Sequence, residues 1–260
     1  MTYTVYLIVK IVIAAVLAVF FGNGSVVAFN HIRPKWFEDY ADDGYADGAD
    51  RQDGDGELRK VLPPRLVEAD NAGRQRIPSS PWKAAFGCYF GAVGVYLAVT
   101  GETIKYEVAV LCVLFVLLEM AISDQLYKIV PDQFSLALAL MSVAFFNYHD
   151  HWWEPLAGAG LGLAISLAIL ALGILIFKTG SIGGADIKFF TCMGFIAGRR
   201  GIVLIYILTT LLFAAQSVFK IATGRGKLSD SNAMLPAGCA AVTIYFLFIH
   251  DLENLLSIYL

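Results

Sequence analysis

Long apolar runs, one after another and almost free of charge, constrain this chain more than any other feature. They cover Tyr3 to about Phe29, then about Ala84 to Thr100, Val108 to Ser123, Phe134 to Asn147, Leu156 to Phe177, Phe189 to Ala197, Ile202 to Phe219 and Ala233 to Phe248. A soluble domain, roughly half apolar, has no place for so much apolar surface. The 260 residues are 58% hydrophobic and 16% charged, with a mean hydropathy of +0.65. The expectation is an all-α polytopic membrane protein with about eight transmembrane helices. Several runs are shorter than the roughly 20 residues that cross a bilayer upright, so helix ends should reach into the polar flanks. The pair Arg199-Arg200 divides what would otherwise be one longer run.

Three parts follow from this pattern: a first transmembrane helix in residues 1–30, a cytoplasmic loop in 31–83, and a membrane-embedded part in 84–260. The first run lacks the basic start, short core and small-residue cleavage site of a signal peptide, and Lys10 can snorkel to an interface. The loop holds eleven acidic and nine basic residues together with Pro63, Pro64, Pro78 and Pro81. Its middle, Asp42 to Glu57, is too polar to bury a core and reads as mobile. The aspartates there lack the ligand order of an EF-hand, so calcium is not expected. Cys88, Cys112, Cys192 and Cys239 each lie in an apolar run and no two are spaced C-x-x-C. They read as small buried hydrophobes, with no zinc site and no disulfide framework. The basic residues form no stripe, which argues against nucleic acid.

Two aspartates stand at the ends of apolar runs. Asp124 closes one in Glu119-Met120-Ala121-Ile122-Ser123-Asp124, and Asp186 opens another in Gly183-Gly184-Ala185-Asp186-Ile187-Lys188. Two runs lie between them, and an even number of crossings returns the chain to the face it left. With the N-terminus outside, the inner loops carry fifteen Lys and Arg residues, against only Lys105, Arg199 and Arg200 outside. Both aspartates are therefore expected at the cytoplasmic face. Two carboxylates so placed suit an aspartyl protease dyad, one taking a proton from water and the other polarising the scissile carbonyl. Glycines before Asp186 allow close backbone approach. The plain alternative is that each aspartate only terminates or caps its helix.

These motifs resemble the type IV prepilin peptidases, membrane aspartyl proteases of the G-x-G-D class. The resemblance rests on Asp124 followed by Ile129-Val130-Pro131-Asp132, and on Gly183-Gly184-Ala185-Asp186 with Lys188, where Ala185 replaces the second glycine. Met234-Leu235-Pro236-Ala237 is similar to the family's proline-containing start of its last helix. The resemblance implies catalysis by Asp124 and Asp186 without metal or cofactor. The implied partner is a prepilin or pseudopilin precursor with a basic leader and a hydrophobic helix, cut at the cytoplasmic side of the inner membrane. Gly24-Ser25 and Arg33-Pro34 keep part of the family's first motif, but the two C-x-x-C pairs of its methylating members are absent. N-methylation is accordingly not expected.

Among the supporting residues, Asp132 follows Pro131 and is read as an N-cap. Lys188, two residues from Asp186, would face away from it and reads as an interface anchor. Glu119, inside an apolar run, is either a supporting polar contact or a buried protonated acid. His149-Asp150-His151 is not spaced for a metal on one helix face, and Trp152-Trp153 fits an outer interfacial belt. The competing functions are a G-x-G-D protease for another signal peptide, a catalytically dead assembly protein, and a secondary transporter using intramembrane acids. A transporter of the commonest kinds would show repeated halves, which the chain does not.

Overall fold

The computed structural model describes residues 3–32, 36, 68–69, 75–100, 103–177, 183–224 and 232–249. The acidic stretch from Asp42 to Glu57, Arg33-Pro34, Lys178, Arg225 and Lys227 lie outside the described residues. The chain is all-α and polytopic: α1 (Tyr3–Asn30), α2 (Ser79–Val99), α3 (Ile104–Tyr127), α4 (Asp132–Ser142), a 3-10 segment (Val143–Tyr148), α5 (Glu154–Phe177), α6 (Gly184–Ala222) and α7 (Leu235–Ile244), which runs on into a π turn (Tyr245–Ile249). A minimal antiparallel pairing joins Glu68–Ala69 to Gln75–Arg76. Most helix ends reach past their apolar runs, α3 for instance starting at Ile104 behind the Thr103 cap, whose side chain accepts from the Tyr106 amide.

Among the described residues, five helices are long and apolar enough to cross a membrane, α1, α2, α3, α5 and α6, so the expected eight crossings are not all of that length. The difference lies partly in α6. The two runs divided by Arg199-Arg200 belong to one 39-residue element, within which Gly198 leaves helical geometry at φ 70 and ψ −174. Only glycine adopts that backbone freely. The rings of Phe190 and Tyr206, equally far before and after Gly198, stack with centroids 3.6 Å apart. In one straight helix they would be about 24 Å apart. The two limbs therefore fold back alongside each other.

In lipid, helices associate by close packing rather than by expulsion of water, so small residues decide which pairs meet. Two such seams organise the fold. In the first, α1 lies on α2: a Cβ on Gly22 would come within 2.6 Å of the Gly87 nitrogen, and one on Gly94 within 2.9 Å of the Ala14 Cβ. In the second, α5 lies on α6: a Cβ on Gly158 would overlap the Gly194 carbonyl and approach the Gly198 carbonyl carbon to 2.6 Å. Between the seams sits α3, with Val110, Leu111, Val113, Leu114 and Met120 fully buried.

Lys10 does not snorkel. It is 1% exposed, and its Nζ donates to the carbonyls of Leu97 at 3.3 Å and Ala98 at 3.0 Å. It also lies 4.0 Å from a carboxylate oxygen of Glu107. The end of α2 leaves carbonyls without helical partners, and a cation there is favoured by the helix dipole. The lysine thus turns inward and joins α1, α2 and α3. The cysteines are free and only Cys239 is buried; Cys88 is exposed, on a helix with one face outside the bundle. At the other end of α1, the Asn30 side chain donates to the Ile77 carbonyl and accepts from the Ile77 amide, at 2.9 and 3.0 Å, fastening α1 to the entry of α2.

Candidate active site

Asp124 occupies the last turn of α3, which ends at Lys128 in the left-handed conformation, φ 54, with the Lys128 amide donating to the Asp124 carbonyl. Ser123 latches the return by donating to the Ile129 carbonyl at 2.6 Å. Pro131, buried, then opens α4 with an extended ψ of 138 and no amide of its own to satisfy. Asp186 lies at the third position of α6, where it accepts from the backbone amide of Gly183 at 3.2 Å. Both carboxylates are half-buried, and they lie within electrostatic reach of each other. The structure therefore brings to one place two residues that the sequence separates by two apolar runs.

The helices that carry them meet mainly through others. Both α4 and α7 pack against α3 and against α6. On the α6 side, Gly238 of α7 leaves room for Phe189, whose ring would meet a Cβ there at 3.0 Å. Farther along, the Tyr245 hydroxyl donates to the Ala197 carbonyl at 3.4 Å. On the α3 side, the Leu235 amide at the start of α7 donates to Asp124 Oδ2 at 2.9 Å. The Met234 amide also faces this carboxylate. Lys220 near the end of α6 donates to Asn232 at 2.7 Å and steadies the segment that enters α7.

Two readings of individual residues change, and a third, that of Glu119, is narrowed to one of its alternatives. Asp132 is not an N-cap: Pro131 holds that position, no side-chain cap bond forms there, and the Asp132 carboxylate pairs with Lys188. Lys188 correspondingly does not stand alone as an interface anchor, because the start of α4 comes within its reach across the site. Glu119 is 1% exposed, and neither of its carboxylate oxygens has a hydrogen-bond partner among the described residues. It makes no polar contact with the dyad there. Of the two glycines, Gly183 is the one against Asp186, since a Cβ on it would lie 3.2 Å from Oδ2, whereas Gly184 has nothing within 4 Å; Ala185, half-buried, fits where the glycine was replaced.

Sequence reasoning missed the Leu235 amide as a partner of Asp124. A backbone donor has no side-chain signature, and only Pro236, in the first turn of α7, marks a helix start whose preceding amides are open to a partner. His149 and His151 lie at the opposite end of the α6 limbs, His149 against Gly198 and 3.8 Å from Glu154. Trp153 stacks on His151 and lies under Arg199.

Two of these contacts make direct predictions. Gly183→Ala crowds the Asp186 carboxylate and is expected to lower turnover several-fold, while Gly184→Ala leaves it near wild type; a cleavage assay on both variants checks this. Lys188→Asp and Asp132→Lys each break the pair between α4 and α6. Their combination restores it with reversed polarity and is expected to recover most of the activity lost in the singles. The stability change should stay within about 1 kcal/mol, because both side chains are largely exposed.

Comparison with known proteins reaches the same part of the chain. Residues 109–218 match the type IV leader peptidase family, a segment that includes Asp124, Asp186 and both limbs of α6. The chain is 23% identical over 163 residues to the prepilin leader peptidase/N-methyltransferase of Bacillus subtilis (strain 168), covering 62% of each chain. It thus spans less than two thirds of that relative's length. No solved structure matches it. The resemblance carried by the aspartate motifs is therefore found in comparisons over longer stretches of the chain as well.

Proposed function

We propose that this protein is a membrane aspartyl endopeptidase that removes the basic leader from type IV prepilin or pseudopilin precursors. The cut falls at the cytoplasmic face of the inner membrane, with water activated between Asp124 and Asp186 and with no metal or cofactor. The observation that carries this reading is that two half-buried carboxylates at helix ends lie within electrostatic reach of each other. The family match and the relative's name support the substrate class. A precursor of this kind keeps its leader in water and its hydrophobic helix in lipid, which brings the bond between them to the depth of the dyad.

Like charges held close do not both ionise cheaply, so such a pair carries one proton between them. The charged partner takes a proton from water as the water oxygen attacks the scissile carbonyl, and the neutral partner gives its proton to the carbonyl oxygen. Collapse of the diol then breaks the C–N bond, with the amine receiving the proton taken from water. The reading is peptidase-only, because the chain lacks the C-x-x-C pairs that accompany methylation in the family it resembles.

The test is cleavage of a precursor with a basic leader and a hydrophobic helix by the purified protein in liposomes, with S-adenosylmethionine present and products weighed by mass spectrometry. One cut before the hydrophobic helix and no added methyl group is the expected result. Failure to cut any prepilin-like precursor would overturn the reading, and a methylated product would overturn its peptidase-only part.

A further inference from the structure

The two carboxylates are held differently. Asp124 Oδ2 accepts the Leu235 amide at 2.9 Å, and the Met234 amide faces the same carboxylate. Both amides belong to the start of a helix other than its own. The first amides of a helix have no partner within it and carry the positive end of its dipole, so they favour a charged carboxylate. Pro236 has no amide, so the open donors of this helix start are those of Met234, Leu235 and Ala237, and the Leu235 amide is the one bonded to Asp124. Asp186 accepts one longer bond, 3.2 Å, from Gly183 of its own helix start. Among the described residues, Lys128 at the end of α3 also lies within electrostatic reach of Asp124.

We propose that the first turn of α7 sets the division of labour in the dyad. The Leu235 amide, with the Met234 amide beside it, holds Asp124 as the charged member, which takes the proton from water. Asp186 keeps the proton that passes to the scissile carbonyl oxygen. During collapse, Asp124 returns its proton to the departing amine and Asp186 recovers one from the diol hydroxyl, so the dyad ends as it began. This rests on the peptidase reading above and adds what that reading leaves open. Leu235 is a positioning residue, acting through its backbone and not its side chain.

Because the acting group is an amide, the deciding comparison is Leu235→Pro, which removes the donor, against Leu235→Ala, which keeps it. Proline is accepted at the first position of a helix, and helix start and fold are checked by thermal melting. Leu235 is buried, so Leu235→Ala sets the baseline for lost packing. For Leu235→Pro, kcat falls roughly 10- to 100-fold below that baseline, the scale of a lost hydrogen bond to a charged group. KM stays unchanged, and the acidic limb of the pH–rate profile moves to higher pH. A Leu235→Pro protein with the kcat and pH profile of Leu235→Ala would overturn the proposal. If Leu235→Pro does not fold, an ester bond in place of the Leu235 amide decides, since it removes the same donor and keeps the side chain: the same fall in kcat and the same shift of the acidic limb are expected, and wild-type values of both would overturn the proposal. Wild-type protein that cuts no precursor at all would count against the peptidase reading itself.

Discussion

Asp124→Asn and Asp186→Asn are each expected to lower precursor cleavage by roughly 10²- to 10⁴-fold, the usual contribution of a positioned proton-transfer group. The amide keeps the shape of the carboxylate but neither takes a proton from water nor gives one to a carbonyl. The Asn side chain can still face the Leu235 amide through its carbonyl oxygen, so the start of α7 keeps a partner. The melting midpoint is accordingly expected to move little. The double variant should be hardly slower than either single one, because groups that act as a unit are lost together. Kinetics of all three variants beside thermal melting check this. Full activity in either single variant would remove that residue from the mechanism.

Gly158→Ala and Gly194→Ala are expected to have the largest effect on stability. A Cβ on Gly194 would come within 2.6 Å of the Gly158 carbonyl carbon and 2.9 Å of the Ala159 nitrogen, which are backbone atoms that cannot rotate away. Accommodating a methyl group there requires α5 and α6 to separate, and overpacking of this kind costs roughly 1–3 kcal/mol. It also displaces the limb that carries Asp186, so cleavage should fall with stability. Gly160→Ala on the same helix is the control: nothing lies within 4 Å of that position, and alanine is the better helix former by about 1 kcal/mol. Thermal inactivation in detergent should show Gly160→Ala at or above wild type and the other two well below it.

The class of fold was legible because apolar runs of this length have few other homes, and Pro131 marked the start of α4 even though its neighbour Asp132 was read as the cap. The aspartates were legible as a pair because each stands at the border of an apolar run. What escaped was contact between residues far apart in sequence. Lys10 read locally as an interfacial lysine, and nothing near it pointed to Glu107 or to the end of α2. Asp132 and Lys188 each had an adequate local explanation, a cap and an anchor, and those explanations hid their pairing. The division of the chain near Arg199-Arg200 was visible as a charged pair, whereas the reversal itself rests on one glycine backbone, Gly198. The hold on Asp124 comes from backbone amides, which the side-chain alphabet does not spell out.

The most direct test of the central claim, that water activated by the two aspartates cuts the precursor, is a single turnover in water enriched in heavy oxygen, followed by mass spectrometry of leader and protein. The account predicts heavy oxygen in the new carboxyl terminus of the leader and none in the peptides that contain Asp124 or Asp186. Heavy oxygen in either aspartate would mean that a carboxylate attacks the precursor itself, and would contradict the account.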